Sequence, residues 1–310
     1  GLVGVMALAA VAGAMRFSEW STAVKVDEIG GNSAELNTPF LDGCPIQSPD
    51  GLSLYLASNR PGGAGGLDIW VARRDSADDP FGAPENLGAP VNTPADEFCP
   101  TPLTNGHTLL FVSTKAGGCG GSDIYIAREH EKHGWQAPEH LGCTVNSAAD
   151  EASPFYVEEE NGGVLYFSST RAGGYAADAP GAISGDSDIY LGPVWGDGSI
   201  GAPVLAAGLN SSAQDSRPNV RRDGLEIFFD SNRADGAGGL DIWSSTRERP
   251  GGTWSTPVNA GTNVNSAANE TRPYLSWGAT TLYFGTTRSG VEGQSDIFFS
   301  RRQRVTGQSQ

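Results

Sequence analysis

Positive charge is scarce in this chain, and so are Lys, Glu, Leu and Met among the residues that favour helices. Its 310 residues include 20 Lys and Arg against 36 Asp and Glu, which gives a formal net charge of −16. A chain this acidic repels polyphosphate, so nucleic acid is not an expected partner. There are only 2 Met but 43 Gly and 19 Pro, and no segment repeats its apolar residues at the helical period. A helical fold is therefore not expected.

Long apolar runs are also few, and the clearest one lies at the N-terminus. Residues 1–15 are apolar and uncharged, but a membrane-spanning helix needs about 20 such residues. The run ends in Ala12-Gly13-Ala14, the small-x-small pattern that signal peptidases cleave. We expect residues 1–15 to be the remnant of a signal peptide, and the mature protein to be periplasmic or secreted without a membrane span. An apolar strand or helix of the fold is the alternative.

The common catalytic and cofactor motifs are absent as well. The chain has no Gly-x-Ser-x-Gly elbow, no phosphate-binding Gly-Lys-Ser/Thr loop and no His-Glu-x-x-His. It has no Cys-x-x-Cys, and its closely spaced His130 and His133 lie in a polar segment, so a zinc site is not expected. The Gly-rich segments 62–66 and 117–121 do not open helices, and we interpret them as turns rather than dinucleotide-binding loops.

What the sequence does contain is one unit repeated five times. The string N-x-x-x-x-(D/E)-x-x-P recurs with constant internal spacing, and its asparagines are 55, 54, 64 and 55 residues apart. Each string is followed by a turn, a β-type run that ends near a basic residue, a Gly-rich loop and a second run headed by Asp. The five units begin near Asn37, Asn92, Asn146, Asn210 and Asn265.

This organisation predicts an all-β fold, a five-bladed β-propeller of four-stranded blades. The last unit stops after its third strand near Ser300, whereas residues 17–36 precede the first unit. We therefore expect residues 17–36 to supply the fourth strand of the C-terminal blade and to close the ring. The propeller would span residues 16–303, followed by a polar tail at 304–310. A closed ring leaves no long sheet edge free, which favours a monomer.

The repeat also resembles a known family. Ser48-Pro-Asp-Gly51, Ser58-Asn-Arg-Pro-Gly-Gly63 and Leu67-Asp-Ile-Trp70 are similar to the WD40-like propeller repeat of TolB and related periplasmic proteins. The resemblance covers about residues 37–300. It implies an exported propeller that binds other molecules, since such repeats occur in TolB, which binds Pal, and beside peptidoglycan-binding domains and hydrolases.

The acid of each string precedes the innermost strand, so the five acids are expected to surround one mouth of the central channel. Converging carboxylates must be paired or perturbed in pKa, and three roles are open. They accept hydrogen bonds within the fold, they bind a hard cation such as Ca²⁺, or two or three of them perform acid–base chemistry on a glycan. The acids are Asp42, Glu97, Glu151, Asp215 and Glu270.

Other residues that recur in the units are interpreted as structural. In four units a basic residue stands 8 positions before the Asp that heads the third strand, as Arg60 stands before Asp68. We expect these two residues to pair across the second and third strands through charge-assisted hydrogen bonds. The Asn and Pro of the string are interpreted as turn formers.

Positions that differ between units are better candidates for function. The residue before the repeat proline is Arg217 in the fourth unit and Arg272 in the fifth. The two arginines either bind a carboxylate, sulfate or phosphate by forked hydrogen bonds or neutralise the neighbouring acids of the string. The third unit has a longer loop, which is either a neutral insertion or a recognition loop. Its candidate ligand-binding residues are Tyr175, Asp178 and Asp186.

Four cysteines in an exported chain suggest two disulfides. Cys44 and Cys99 occupy the same pre-proline position in neighbouring units, whereas Cys119 lies in a Gly-rich loop and Cys143 precedes Asn146. We expect the pairs 44–99 and 119–143, with four free thiols as the alternative.

Two functions from different classes remain. The favoured one is an exported, TolB-like propeller that binds an envelope protein or a cell-wall or extracellular glycan through its channel-mouth face. The other is a glycoside hydrolase that uses the channel-mouth carboxylates, by analogy with five-bladed arabinanase-like and fructan-cleaving propellers. Because every unit carries the acid, the pattern singles out no general acid or base. We therefore assign no catalytic residue and regard enzymatic activity as the less expected outcome.

Overall fold

The computed structural model describes residues 16–159, 162–175 and 186–305, and regular structure in these ranges is almost entirely β-strand. A 3-10 turn at Ala34–Leu36 is the one helical segment in this part of the chain. No helix among the described residues is long and apolar enough to cross a membrane. The signal-peptide prediction for residues 1–15 lies outside the described residues.

Five antiparallel sheets follow one another along the chain, and each sheet is one blade of a five-bladed propeller. The predicted all-β propeller is therefore confirmed. In blade 2 the third strand pairs with two short outer strands, Gly134–Trp135 and Glu139–His140. From inner to outer, the strands of blade 1 are Asp42–Gln47, Ser53–Ser58, Asp68–Arg73 and Glu85–Asn86, and the first three strands of blade 2 are Glu97–Pro102, Thr108–Ser113 and Asp123–His130. Blade 3 consists of Glu151–Glu159, Gly162–Ser169, Asp188–Trp195 and Val204–Leu205. Blade 4 consists of Asp215–Val220, Glu226–Ser231, Asp241–Thr246 and Val258–Asn259.

Blade 5 is built from both ends of the chain, which confirms the predicted ring closure. Its outer strand is Val24–Lys25, paired with residues 298–299 of the third strand. A further two-stranded ribbon joins Arg16–Phe17 to Arg304–Val305, so the segment predicted as a polar tail begins with a short strand. The three C-terminal strands of blade 5 are Glu270–Leu275, Thr281–Thr286 and Asp296–Arg301.

The core lies between adjacent blades, and the second strands contribute most to it. Successive residues of a strand point to opposite faces, so Phe228 packs with Phe284 of blade 5 whereas Phe229 packs with Tyr166 of blade 3. Both faces of a blade are therefore covered by its neighbours. This explains why the second strands are nearly continuous apolar runs rather than alternating ones.

The Gly-rich loops pack blade against blade at the mouth where the inner strands begin. A Cβ on Gly65 would collide with the backbone carbonyl oxygen of Ala95, and one on Gly66 would collide with the carboxylate of Asp96. Both contacts belong to the segment that leads into blade 2. Glycine is needed here for close backbone approach, which agrees with the interpretation of these loops as turns.

Candidate functional site

The five acids predicted at the channel mouth are completely buried, and we call them the acid ring: Asp42, Glu97, Glu151, Asp215 and Glu270. Glu151 is typical. It accepts hydrogen bonds from the backbone N–H and the hydroxyl of Ser147, both at 2.6 Å, from the Ser169 hydroxyl at 2.6 Å and from Arg171 Nη2 at 3.0 Å. Three of these donors bond to Oε1 and one to Oε2, so the buried carboxylate is held on both oxygens by groups of the fold.

In four of the five units the basic residue pairs with the acid ring, and the predicted pairing with the third-strand Asp is wrong. Arg60 Nη2 lies 2.5 Å from Asp42, and Arg288 Nη2 lies 3.0 Å from Glu270. The same guanidinium also donates to a backbone carbonyl oxygen just before the string Asn, as Arg288 does to Val264. The arginine thus ties the start of the inner strand to the linker that enters its blade.

Blade 2 is the exception among the five. It has Lys115 where the other blades have arginine, and no ion pair with Glu97 forms. The Lys115 ammonium lies 3.8 Å from the centre of the Tyr125 ring instead. Burial lowers the pKa of Lys115, and the charge of Glu97 opposes that change. Glu97 still accepts hydrogen bonds from Thr93 and from the Ser113 hydroxyl.

The third-strand Asp residues bind the Gly-rich loop of their own blade. In blade 3, Asp188 accepts the N–H of Tyr175 at 2.8 Å, but its other carboxylate oxygen is buried without a hydrogen-bond partner. Burial raises the pKa of Asp188 to about 6, and the nearby charges of Asp186 and Asp215 add to the effect. The corresponding oxygen is equally unpartnered in Asp68, Asp123, Asp241 and Asp296.

The string Asn residues were expected to form turns, but their side chains bind the backbone of the preceding blade instead. Asn92 accepts the backbone N–H of Ile69 and donates to its carbonyl oxygen, both at 2.9 Å. Asn265 makes the same two bonds to Ile242. Each Asn side chain therefore extends the backbone hydrogen bonding at the edge of the third strand in the preceding blade. This explains why the string Asn recurs together with the Asp-Ile that begins each third strand.

Below the acid ring lies a second ring, one residue from each blade, which we call the channel ring. Each member has a positive φ, between 48° and 57°, and the register of the inner strand shifts at this point. The left-handed conformation costs about 1–2 kcal/mol for a residue other than glycine. The five members line one central cavity of about 40 Å³ together with the prolines that follow them, and they are Cys44, Cys99, Ser153, Arg217 and Arg272.

The channel ring is chemically uneven. Cys44 and Cys99 are joined by a disulfide that links blades 1 and 2, and the Ser153 hydroxyl lies 3.2 Å from the Cys99 sulfur. Apolar and weakly polar groups therefore occupy one side of the cavity. The opposite side carries the two guanidinium groups of Arg217 and Arg272.

The arginines do not neutralise Asp215 and Glu270, which was one of the two expectations. Arg217 Nη1 instead donates at 2.7 Å to Asp230, a fully buried carboxylate in the second strand of blade 4. Asp230 also accepts the backbone N–H of Arg272 at 2.8 Å. The Arg272 side chain forms no ion pair or hydrogen bond with any residue the structure describes, and its Nε is buried. Burial lowers the pKa of Arg272 to about 9, helped by Arg217 and opposed by Asp230.

A larger cavity lies at the other end of the inner strands, opposite the acid ring, and we call it the recess. Its volume is about 450 Å³, and its floor meets the channel-ring cavity at Phe155 and Tyr274. Trp277 lies on one side, where the Arg222 guanidinium is 5.0 Å from the centre of its ring. The remaining lining residues include Thr104, Tyr156, Glu158 and Ser276.

The long loop of blade 3 is described only at its two ends. Tyr175 is 58% exposed and therefore accessible, whereas Asp186 is half-buried beside Asp188 and Asp215. The third candidate, Asp178, lies outside the described residues. The loop does not join the channel ring or the recess in the part of the chain that the structure describes.

Three potential metal ligands meet away from the channel. Cys119, Asp123 and His140 form the one group of three in the described ranges whose donor atoms lie within 4.8 Å of one another. The Cys119 sulfur is bonded to Cys143, so it is not a free thiolate. No three members of the acid ring form such a group, which removes the geometric basis for a shared calcium site.

Comparisons with known proteins identify the fold. No protein-family model matches the chain, and no curated protein matches it. The structure is similar to an α-L-arabinofuranosidase from Lactobacillus brevis, with 12% identity, a TM-score of 0.55 and coverage of 90% of this chain and 94% of that one. A GH43_12 protein from a capybara gut metagenome gives 14% identity, a TM-score of 0.56 and coverage of 94% and 62%. A putative TolB from Agrobacterium tumefaciens gives 15% identity, a TM-score of 0.48 and coverage of 95% of this chain and 100% of that one. At these identities the likeness shows the propeller fold alone.

Two features of the candidate site were not predicted from the sequence. Asp230 occupies a position that is Ala57, Val112, Ser168 and Gly285 in the other blades, so the single acid at this repeat position was a visible departure. The recess residues Arg222 and Trp277 lie in turns that vary between units, and no repeat pattern marks them. Their convergence depends on the ring geometry.

Proposed function

We propose that this chain is an exported, TolB-like propeller that binds a cell-wall or extracellular glycan without cleaving it. The observation that carries the proposal is the state of the acid ring. All five carboxylates are fully buried and accept hydrogen bonds from their own blades. Glycoside hydrolysis needs a pair of carboxyl groups that face the scissile bond, about 5–5.5 Å apart for retaining enzymes and about 6.5–9.5 Å for inverting ones. The acid ring offers no open pair.

The recess is the site we propose for the glycan. Its volume of about 450 Å³ falls within the range of small-molecule sites. Trp277 and Tyr156 supply aromatic surface for the apolar faces of sugar rings, whereas Arg222, Glu158 and Thr104 supply hydrogen-bonding groups. Thr104 already donates to Glu158 at 2.9 Å, which orients that carboxylate at the edge of the recess. A cavity of this size accommodates a short oligosaccharide, and an envelope protein would need a broader contact area.

The test combines catalysis and binding on one panel of cell-wall, plant and algal polysaccharides. We expect no release of reducing ends from any of them, and retarded migration of the protein in gels that contain its ligand. Trp277→Ala and Arg222→Ala should abolish the retardation. Trp195→Ala is the matched control, because Trp195 is 52% exposed and lies outside the recess.

Two results would overturn the proposal. Release of reducing ends that disappears in Glu97→Gln/Glu151→Gln, while circular dichroism shows that this variant is still folded at the assay temperature, would establish a glycosidase and assign two of its carboxylates. No retardation with any glycan, combined with capture of an envelope protein that depends on Trp277, would assign the recess to a protein partner instead.

A further inference from the structure

The centre of the channel carries an uncompensated positive charge. Arg217 and Arg272 contribute two guanidinium groups, and among the described residues Asp230 is the one carboxylate in contact with either arginine. Arg217 is largely buried and Asp230 is completely buried. Two positive charges and one negative charge leave a surplus of one positive charge in a poorly solvated place. A buried charge without a partner is strongly unfavourable.

No other described carboxylate is placed to balance this charge. The nearest repeated acids belong to the acid ring, and four of the five already pair with the arginine of their own blade. Glu97, the fifth, accepts hydrogen bonds from Thr93 and Ser113. Within the described residues the charge is therefore not balanced, and a bound anion would balance it.

The position of Arg272 leaves its donors available. Its Nη1 lies only 3.4 Å from the point that a Cβ on Gly43 would occupy, so the guanidinium lies against bare backbone of blade 1. The other members of the ring on that side are the Cys44–Cys99 disulfide and Ser153, which place no positive charge there. Arg272 thus lines the cavity with a guanidinium group that has no partner among the described residues.

We propose that the channel ring binds one small monoanion, a halide or a single carboxylate group, between Arg272 and Arg217. A charge of −1 balances the surplus, whereas a dianion such as sulfate would overcompensate it. The cavity of about 40 Å³ corresponds to about three water molecules, and this volume suits a halide or a carboxylate. Forked hydrogen bonds from guanidinium groups are strong and directional for carboxylates. This site uses other residues than the recess and does not depend on the proposed function.

The experiment uses the full chain in a buffer whose only anion is a sulfonate too large for the cavity. Bromide and formate are added separately at constant ionic strength, and the melting temperature is recorded. At about 100 times the dissociation constant, we expect a rise of about 5 °C for the wild type. Arg272→Met should show no rise with either anion. Arg249→Met, an exposed residue that lines neither the channel ring nor the recess, should respond as the wild type does. Crystals soaked in bromide should show one anomalous peak beside the Arg272 guanidinium.

Glucuronate distinguishes the two sources of a carboxylate. If it displaces the bromide peak at lower concentration than formate does, the anion is a carboxylate carried by a larger molecule that enters through the recess. If only bromide and formate bind, the ligand is a free ion. The proposal is wrong if neither anion raises the melting temperature of the wild type and the bromide soak leaves only water in the cavity. The soak decides the question even if Arg272→Met does not fold.

Discussion

Two rings of five side chains surround the channel, two residues apart along each inner strand, and they differ in every property that matters for function. The acid ring repeats one chemistry in all blades, and each carboxylate is buried and accepts hydrogen bonds from its own blade. The channel ring has a disulfide, a hydroxyl and two guanidinium groups, one of which has no partner among the described residues. Equivalent backbone positions therefore serve different purposes.

The comparison teaches how to interpret a repeat protein. A residue that every blade needs for its own closure must recur, as the acid and its arginine do. A ligand on the propeller axis meets all blades at once, so a binding site there requires members that differ. The acid ring would have been the obvious active site from its position alone, but its hydrogen bonds assign it to the fold.

The first prediction separates the rings by stability. Glu151→Gln removes the charge that pairs with Arg171 and places an amide among donors, so we expect a loss of about 3–5 kcal/mol in the free energy of unfolding. Glu158→Gln, in the same strand but exposed, should change it by less than about 0.5 kcal/mol. Urea denaturation measures both values.

Arg272→Met provides the contrast within the channel ring. In a buffer without small anions it removes an unpaired buried charge, so we expect a loss of less than about 1 kcal/mol, or a gain. A loss as large as that of Glu151→Gln would show that Arg272 is structural and would remove the distinction between the rings.

A second prediction compares a blade whose acid pairs with an arginine, blade 5, with blade 2, which has Lys115 at that position. Arg288→Met leaves the buried carboxylate of Glu270 without its ionic partner, which should cost about 3 kcal/mol. Lys115→Met removes the contact with the Tyr125 ring and a weaker attraction to Glu97, with which Lys115 forms no ion pair, and should cost about 1 kcal/mol or less. Equal losses in urea denaturation would contradict the assignment of the arginines as the partners of the acid ring.

The smallest effect concerns pH. Because the pKa of Asp188 is raised from 3.8 to about 6 in the folded protein, its ionised form destabilises the fold. This penalty is absent below about pH 4 and complete above about pH 6. Asp188→Asn should therefore gain melting temperature relative to the wild type as the pH rises through this window.

Asp197 supplies a control of opposite sign. Hydrogen bonds from the hydroxyl and N–H of Ser199 lower the pKa of this exposed carboxyl below its ordinary value. Its ionised form is stabilising above about pH 4, and that contribution is lost in more acidic solution. Asp197→Asn should lose melting temperature relative to the wild type as the pH rises to about 4. A parallel pH response of the two variants would refute the assignment for Asp188.

Much of the architecture could be predicted because a repeat is present in five copies. The spacing of the asparagines, the missing fourth strand near Ser300 and the unassigned residues 17–36 together predicted the propeller and its closure by Val24–Lys25. The disulfides of the structure, Cys44–Cys99 and Cys119–Cys143, are the two pairs considered from the sequence. Equivalent positions in adjacent blades lie close together in space, so contacts between them can be predicted from the repeat.

Partner choice within a blade could not be predicted in the same way. Arg60 was assigned to Asp68 because the two residues flank one loop, but its guanidinium binds Asp42 of the inner strand. The Asn92 side chain was assigned to a turn, but it pairs with the backbone of Ile69. Sequence spacing indicates which strands are adjacent. The direction of a side chain depends in addition on the register shift in the inner strand and on the segment that enters the blade.

The sequence by itself determined the class of fold, the number of blades and the way the ring closes, because these follow from periodicity and from the pairing of neighbouring strands. Only the tertiary structure decided which charges are balanced. The surplus charge of Arg217, Arg272 and Asp230 arises where three strands from two blades meet on the axis, and the recess arises where turns from all five blades converge. Residues far apart in sequence create both sites, and their distances are set by the closure of the ring.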